Sequence, residues 1–233
     1  MTLPGASDAL AIAVPKSERL LEPLAAYLGE RGIEVAFSDR ELVAASADGR
    51  LRFLLVKNED VTTYVGHGIA GLGICGTDKR DESEHRFYTL GELPFGSGRM
   101  CLIRRKGEQV DLATLAGARV ATRYPAAARA FFHARGIPVE IIKLNGSVEL
   151  ALVLGLAPLI VDLVETGRTL AAHDLEVVEQ IGPTRVELIA NPAFSKIRFR
   201  EVGDLAEALL SVGAPSGADA NGARPSVHRA DHG

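Results

Sequence analysis

NGSVELALVLGLAPLIVDLVETGRTL, residues 145–170, holds the key to both the fold and the chemistry. Asn145-Gly146 predicts a turn, and Ser147 the cap of a helix. LIVDLV (159–164) reads as a buried strand that delivers the chain to a polar glycine loop, where another helix begins. The same alternation of short β-rich runs with helical stretches extends outward in both directions and predicts an α/β fold with largely parallel strands. Upstream lie the strands ALAIAV (9–14), IEVAF (33–37), LRFLLV (51–56), IAGLGICG (69–76) and RMCLIRR (99–105). A helix capped by Ser17 runs to Gly32, and a shorter one opens at Asp60. ARVATR (118–123), a helix from Pro125 to about Arg135 and VEIIKL (139–144) precede the quoted stretch. LEVVEQI and RVELIA follow it as two separate strands, then a last helix over 204–212. Residues 213–233 are poor in apolar side chains and rich in Gly, Pro and Ala, which predicts a disordered tail.

The chain has 233 residues, 47% of them apolar and 24% charged, enough to bury a real core. A coiled coil, a collagen-like fibre, a disulfide mini-protein and a wholly disordered chain are excluded. The formal charge of -4 supplies no basic field for duplex nucleic acid, so any polyanion must be small and met by a local cluster of cations. No apolar run reaches the roughly 18 residues of a membrane span, and no export signal is visible, which predicts a cytoplasmic protein without membrane partners. Cys75 and Cys101 sit in apolar runs without ligand spacing and read as buried free thiols.

The loop Asp162-Leu-Val-Glu165-Thr166-Gly167-Arg168-Thr169 is the strongest chemical feature. Successive N–H groups at a helix start favour an anion, so Thr166, Gly167, Arg168 and Thr169 suit a phosphate. Asp162 and Glu165 would repel that phosphate if they faced it. They make better sense as acceptors for sugar hydroxyls or as ligands of Mg²⁺. Together these features describe a phosphorylated pentose site. On the residues alone, an ordinary strand-to-helix turn with a threonine cap stands beside that reading.

DLVETGRTL, preceded by LNGSVELA (144–151) and, further upstream, by FLLVKNEDVTTYVGHGIAGLGICGTD (53–78), resembles the ATP phosphoribosyltransferase family over about residues 9–191. The resemblance implies two α/β lobes of the type II periplasmic-binding-protein kind, with the active site in the cleft between them. Lobe I would comprise residues 1–93 plus 188–212, and lobe II residues 94–187. The implied reaction, the first step of histidine biosynthesis, joins N1 of ATP to C1 of 5-phosphoribosyl 1-pyrophosphate (PRPP), releases pyrophosphate and requires Mg²⁺. Asp162 to Thr169 would hold the ribose and its 5-phosphate. Lys16 and Arg19 stand near the family's basic element after the first strand, Arg40 and Lys57 near its other phosphate-contacting cations, and Glu149 at the cleft. Arg40 and Lys57 are the candidate catalytic residues. ATP N1 already has its lone pair, so the chemistry calls for alignment and charge stabilisation rather than a nucleophilic triad.

The chain departs from the family pattern at Ser17-Glu18, at Gly71, at Lys57 where arginine is commoner, and at Leu152 and Pro158. These departures define an alternative, a catalytically weakened paralogue; a two-lobed small-molecule-binding module is the rival from another class. The length resembles the family's short form. That form implies a hetero-oligomer with a regulatory subunit resembling histidyl-tRNA synthetase, and a dimer when alone. Tyr124 reads as a core-edge aromatic or a base-stacking ring, and Arg99, Arg104, Arg105 and Lys106 as a solvated strand end.

Overall fold

All six residues of the first strand, β1 (Leu10–Pro15), are buried in the computed structural model, which describes residues 9–38, 40–111 and 114–210. Helix α1 (Glu18–Gly29) follows, then β2 (Val43–Ala45), β3 (Leu51–Val56), a 3-10 turn at Asn58–Asp60 and α2 (Val61–Gly66). Next come β4 (Leu72–Gly76), α3 (Thr77–Glu82) and the long β5 (Tyr88–Arg105). The second half contains β6 (Arg119–Thr122), α4 (Pro125–Ala134), β7 (Glu140–Lys143), α5 (Glu149–Val153), β8 (Leu159–Val164) and α6 (Arg168–Ala172). The long β9 (Leu175–Ala190), α7 (Pro192–Ile197) and α8 (Phe199–Leu210) complete it.

The nine strands form one hydrogen-bonded series in the order β2-β3-β1-β4-β9-β5-β8-β6-β7. Each end holds a small parallel unit, β1 parallel to β3 and β4, and β6 parallel to β7 and β8, with β2 added antiparallel on the outer edge of β3. The middle is antiparallel, because β5 and β9 pair with each other along most of their length and with β8 and β4 on their outer sides. The expectation of a largely parallel sheet therefore holds only within each end.

The hydrophobic core divides accordingly. Leu10, Ile12, Leu24, Leu28, Phe53, Leu72 and Ile74 pack with Leu93, Val186, Leu188 and Leu205 on one side of the first unit. Ala11, Ala13, Val61, Val65, Cys75 and Ile189 fill the other side. In the second unit Met100, Leu102, Val120, Phe131, Phe132 and Leu159 cover one face, and Cys101, Ile103, Ala151, Leu152, Ile160 and Val164 the other. Even and odd positions of β5 enter opposite cores, as a strand's period of two requires. Two lobes joined by two long strands result.

Four sequence expectations need correction. IEVAF (33–37) is not a strand; it makes only an isolated bridge, Val35 to Ser46. Both sides of β1 are occupied by β3 and β4, and β2 has taken the outer edge of β3, so the segment meets the sheet only at Ser46, at the end of β2. Ile33, Val35 and Phe37 still turn their apolar faces to the core. LEVVEQI and RVELIA are one strand, β9, which passes through Gly182-Pro183 by register shifts against β5. Ser147 does not cap α5, whose N-cap is Val148. The final helix begins at Phe199, earlier than expected; the tail expected over 213–233 lies outside the described residues.

Candidate functional site

β8 is buried at Leu159, Ile160 and Val161 and comes to the cleft at Asp162. Beyond it Gly167 adopts φ 73°, the left-handed conformation that favours glycine, and α6 begins at the next residue. A Cβ at Gly167 would meet nothing within 4 Å, so the demand there is conformational and the space above the turn is open. Thr166 Oγ1 accepts from the backbone N–H of Arg168 at 3.5 Å and from its Nε at 3.4 Å, which folds the turn on itself.

Around this turn lies a cleft of about 560 Å³, in the size range of small-molecule sites. Its walls come from both lobes. Ser17 before α1, Arg19 and Leu20 of α1 and Asn58 of the 3-10 turn face Arg123, Tyr124, Gly146, Ser147 and Glu149, with the Asp162–Gly167 segment, Thr169 and Leu170 closing the second side. Of the residues singled out in the sequence, Arg19, Glu149, Asp162, Glu165, Thr166, Gly167 and Thr169 line this one cavity. The other four do not. Lys16 is exposed, its Nζ donating to the Glu41 carbonyl at 3.3 Å. Lys57 is exposed immediately before the lining residue Asn58, Arg40 is exposed beyond α1, and Arg168 points its guanidinium back to Thr166.

Both carboxylates of the loop are held by guanidinium groups. Arg123 Nη2 stands 2.9 Å from Asp162 Oδ1, which also accepts the Leu163 N–H at 2.9 Å. Glu165 pairs with Arg19 across the cleft, one lobe to the other. Burial works to lower the Arg123 pKa, but the Asp162 carboxylate beside it outweighs that and raises it above the ordinary arginine value, so the guanidinium stays charged. Among the described residues no group of three His, Cys, Asp or Glu side chains is placed to hold a metal ion. Asp162 and Glu165 are each already paired with an arginine.

Arg123 went unnoticed in the sequence, although it follows directly on the strand run ARVAT. Thr122 sets its place: the hydroxyl donates to the Val161 carbonyl at 2.7 Å and accepts the Tyr124 N–H at 2.8 Å, fixing the end of β6 against β8. Tyr124 is buried, and both readings of it meet here, since it belongs to the second core and lines the cleft. Burial first, then the nearby Asp78 carboxylate, push its hydroxyl above the ordinary tyrosine pKa. Arg104 and Arg105 are structural: the first pairs with Glu176 at 2.8 Å, and the second donates to the Leu152 and Val153 carbonyls at the end of α5. Both cysteines are buried free thiols, and burial pushes Cys75 up to about 12. Among the described residues no helix is long and apolar enough to cross a membrane.

Comparison with known proteins adds to this geometry. The family model described as ATP phosphoribosyltransferase matches residues 57–211. The chain is 42% identical over 210 residues to the ATP phosphoribosyltransferase of Sorangium cellulosum, an alignment covering 89% of this chain and 98% of that protein. It is 40% identical over 208 residues to the one from Caldanaerobacter subterraneus, covering 88% and 98%. Among solved structures it resembles the ATP phosphoribosyl transferase (HisG:HisZ) complex from Thermotoga maritima, with a TM-score of 0.73 at 33% identity over 87% of this chain and 98% of that one. The periplasmic aliphatic sulphonate binding protein SsuA from Escherichia coli shares the fold alone, with a TM-score of 0.59 at 12% identity over 88% of this chain and 68% of that one.

Proposed function

The chain belongs to the ATP phosphoribosyltransferase family, and from that premise we propose how its cleft divides the work of joining ATP to PRPP. The enzyme is a pentosyltransferase of the first step of histidine biosynthesis. N1 of ATP attacks C1 of PRPP, the bond from C1 to the pyrophosphate oxygen breaks, and N1-(5-phosphoribosyl)-ATP and pyrophosphate are the products.

The N–H groups of Thr166 to Thr169 receive the 5-phosphate, and Asp162 and Glu165 accept hydrogen bonds from the ribose hydroxyls. Arg123 keeps Asp162 ionised and oriented. Arg19, Lys16, Lys57 and Arg40 supply positive charge along the lobe I rim for the pyrophosphate and the triphosphate, and Glu149 borders the site from α5. Lys57 and Arg40 act on the departing pyrophosphate, where charge grows in the transition state. Mg²⁺, bound by the polyphosphate substrates with Asp162 and Glu165 in reach, would neutralise part of their charge. No general base is required, because N1 carries no proton to remove.

We divide the chain into lobe I, residues 1–93 with 188–212, and lobe II, residues 94–187, moving about β5 and β9. The partner is a regulatory subunit of the kind present in the Thermotoga maritima complex, one resembling histidyl-tRNA synthetase, and the assembly is cytoplasmic. The observation that supports this reading most is that one cavity gathers the Asp162–Thr169 loop with Arg19 from the opposite lobe. The test is to mix the protein with ATP, PRPP and Mg²⁺ and follow the absorbance of N1-ribosylated adenine. Turnover that rises when the partner subunit is added is expected. No product with or without the subunit would remove the assignment and leave a binding protein of the same fold.

A further inference from the structure

Helix α4 starts in a way its own sequence does not complete. Pro125 occupies its first position and has no N–H, and Tyr124 before it offers no capping side chain, so the N–H groups of Ala126 and Ala127 need an acceptor from elsewhere. Glu82, at the end of α3, supplies it: its two carboxylate oxygens accept from Ala126 and Ala127, each at 2.9 Å. The same short helix holds the residue before Pro125 as well. The Asp78 carboxylate lies near the Tyr124 hydroxyl, and Lys79, almost wholly buried, sets its Nζ 4.7 Å from the centre of the Tyr124 ring while lying 3.7 Å from Glu59 of the 3-10 turn. Arg80 pairs with the buried Glu187 of β9, which anchors α3 to the crossing strands.

TDKRDE has no apolar residue, so this helix has no hydrophobic stripe of its own to bury. Its polar side chains run instead to the turn Arg123-Tyr124-Pro125, to the 3-10 turn and to β9. Arg123, in that turn, is the residue that meets Asp162 in the cleft.

We infer that Glu82 is a positioning residue: by capping α4 from the opposite lobe it fixes the turn that presents Arg123 to Asp162, and so sets the geometry of the ribose site. The inference rests on the function proposed above. A misplacement of about 1 Å in such a site can cost on the order of 100-fold in rate, so an effect on activity is expected even though Glu82 lies outside the cavity.

The test is a double-mutant cycle measured with the partner subunit present, comparing wild type, Glu82→Ala, Arg123→Met and the double variant. Glu82→Ala should lower kcat/KM about 10-fold or more in the parent. In the Arg123→Met background it should cost less than about twofold, because the group it positions is gone. Glu82→Gln, which retains an acceptor oxygen, should recover most of the loss; if Glu82→Ala fails to fold, Glu82→Asp, one methylene too short to reach both N–H groups, takes its place in the cycle and should show the same loss that vanishes in the Arg123→Met background. Penalties that simply multiply, or a Glu82→Ala protein with a lowered Tm and unchanged kcat/KM, would overturn the inference. An inactive wild type would overturn the functional reading and this inference with it.

Discussion

The two sides of the cleft are built by different means. On the lobe II side the proposed anion site is built locally, from one strand end, one left-handed glycine and the first N–H groups of the next helix, while its two carboxylates are paired to arginines from elsewhere, Asp162 to Arg123 and Glu165 to Arg19 of the opposite lobe. On the lobe I side the candidate cations come from separate elements, Lys16 and Arg19 around the start of α1, Arg40 after it and Lys57 after β3, and of these Arg19 alone lines the cavity. A backbone site is set once the local turn folds. A ring of long cationic side chains gathers only around a charge, because holding them together in its absence would oppose both their entropy and their repulsion.

The largest effect should come from breaking the backbone side. Gly167→Asp sets a carboxylate in the anion site and forces a left-handed conformation on a residue with a Cβ. Strain of that kind alone costs about 1–2 kcal/mol. PRPP affinity measured by calorimetry should fall by at least about 100-fold with the circular dichroism spectrum unchanged, while Gly167→Ala, carrying only the strain, should lose about 10-fold. Unchanged affinity in Gly167→Asp would show that the two sides do not differ as argued.

Next in size is the cation side. Lys57→Ala and Arg40→Ala should each lower kcat by about 100-fold, the scale for removing one electrostatic contact to a transition-state charge, with KM for ATP changed far less. Lys57→Arg should remain active, since charge is kept and a planar fork is gained. A third and smaller effect separates stability from binding. Arg19 is 61% exposed, so Arg19→Ala should cost under about 1 kcal/mol in unfolding experiments, yet raise KM for PRPP through the loss of a cleft cation.

The smallest effect concerns Asp78, behind Tyr124. Burial raises its carboxyl pKa above the ordinary 3.8, so the folded protein binds more protons than the unfolded one just above that value. Stability contributed by this group is therefore fullest below 3.8 and declines as pH rises through the folded pKa. Asp78→Asn, which cannot titrate, should gain in Tm relative to the parent between about pH 4 and pH 7, by about 2–4 °C for each ~1 kcal/mol. A Tm difference that stays flat across that range would show the carboxyl to be unperturbed.

What the sequence disclosed follows the same division. β1, β3, β8 and α4 were legible because their apolar periodicity is local, and the loop at Gly167 because its glycine, hydroxyls and acids are contiguous. IEVAF was misleading as a strand, since its apolar alternation does not say which segment takes the edge of β3, and β2 took it. The first half of β5, YTLGELPFGSG, has its alternation broken by Gly and Pro and becomes a strand only because β9 lies beside it. Helix α3, with six polar residues, has no periodic signal at all. Arg123 escaped notice because its partner Asp162 is 39 residues away. Cap and charge pairs of that separation exist only after the lobes have formed.

The most direct measurement of the central claim is a crystal structure of the protein soaked with PRPP. The 5-phosphate should lie on the N–H groups of Thr166 to Thr169 with the ribose hydroxyls at Asp162 and Glu165. Density for that phosphate on the lobe I cations instead, or outside the cleft between the lobes, would contradict the account.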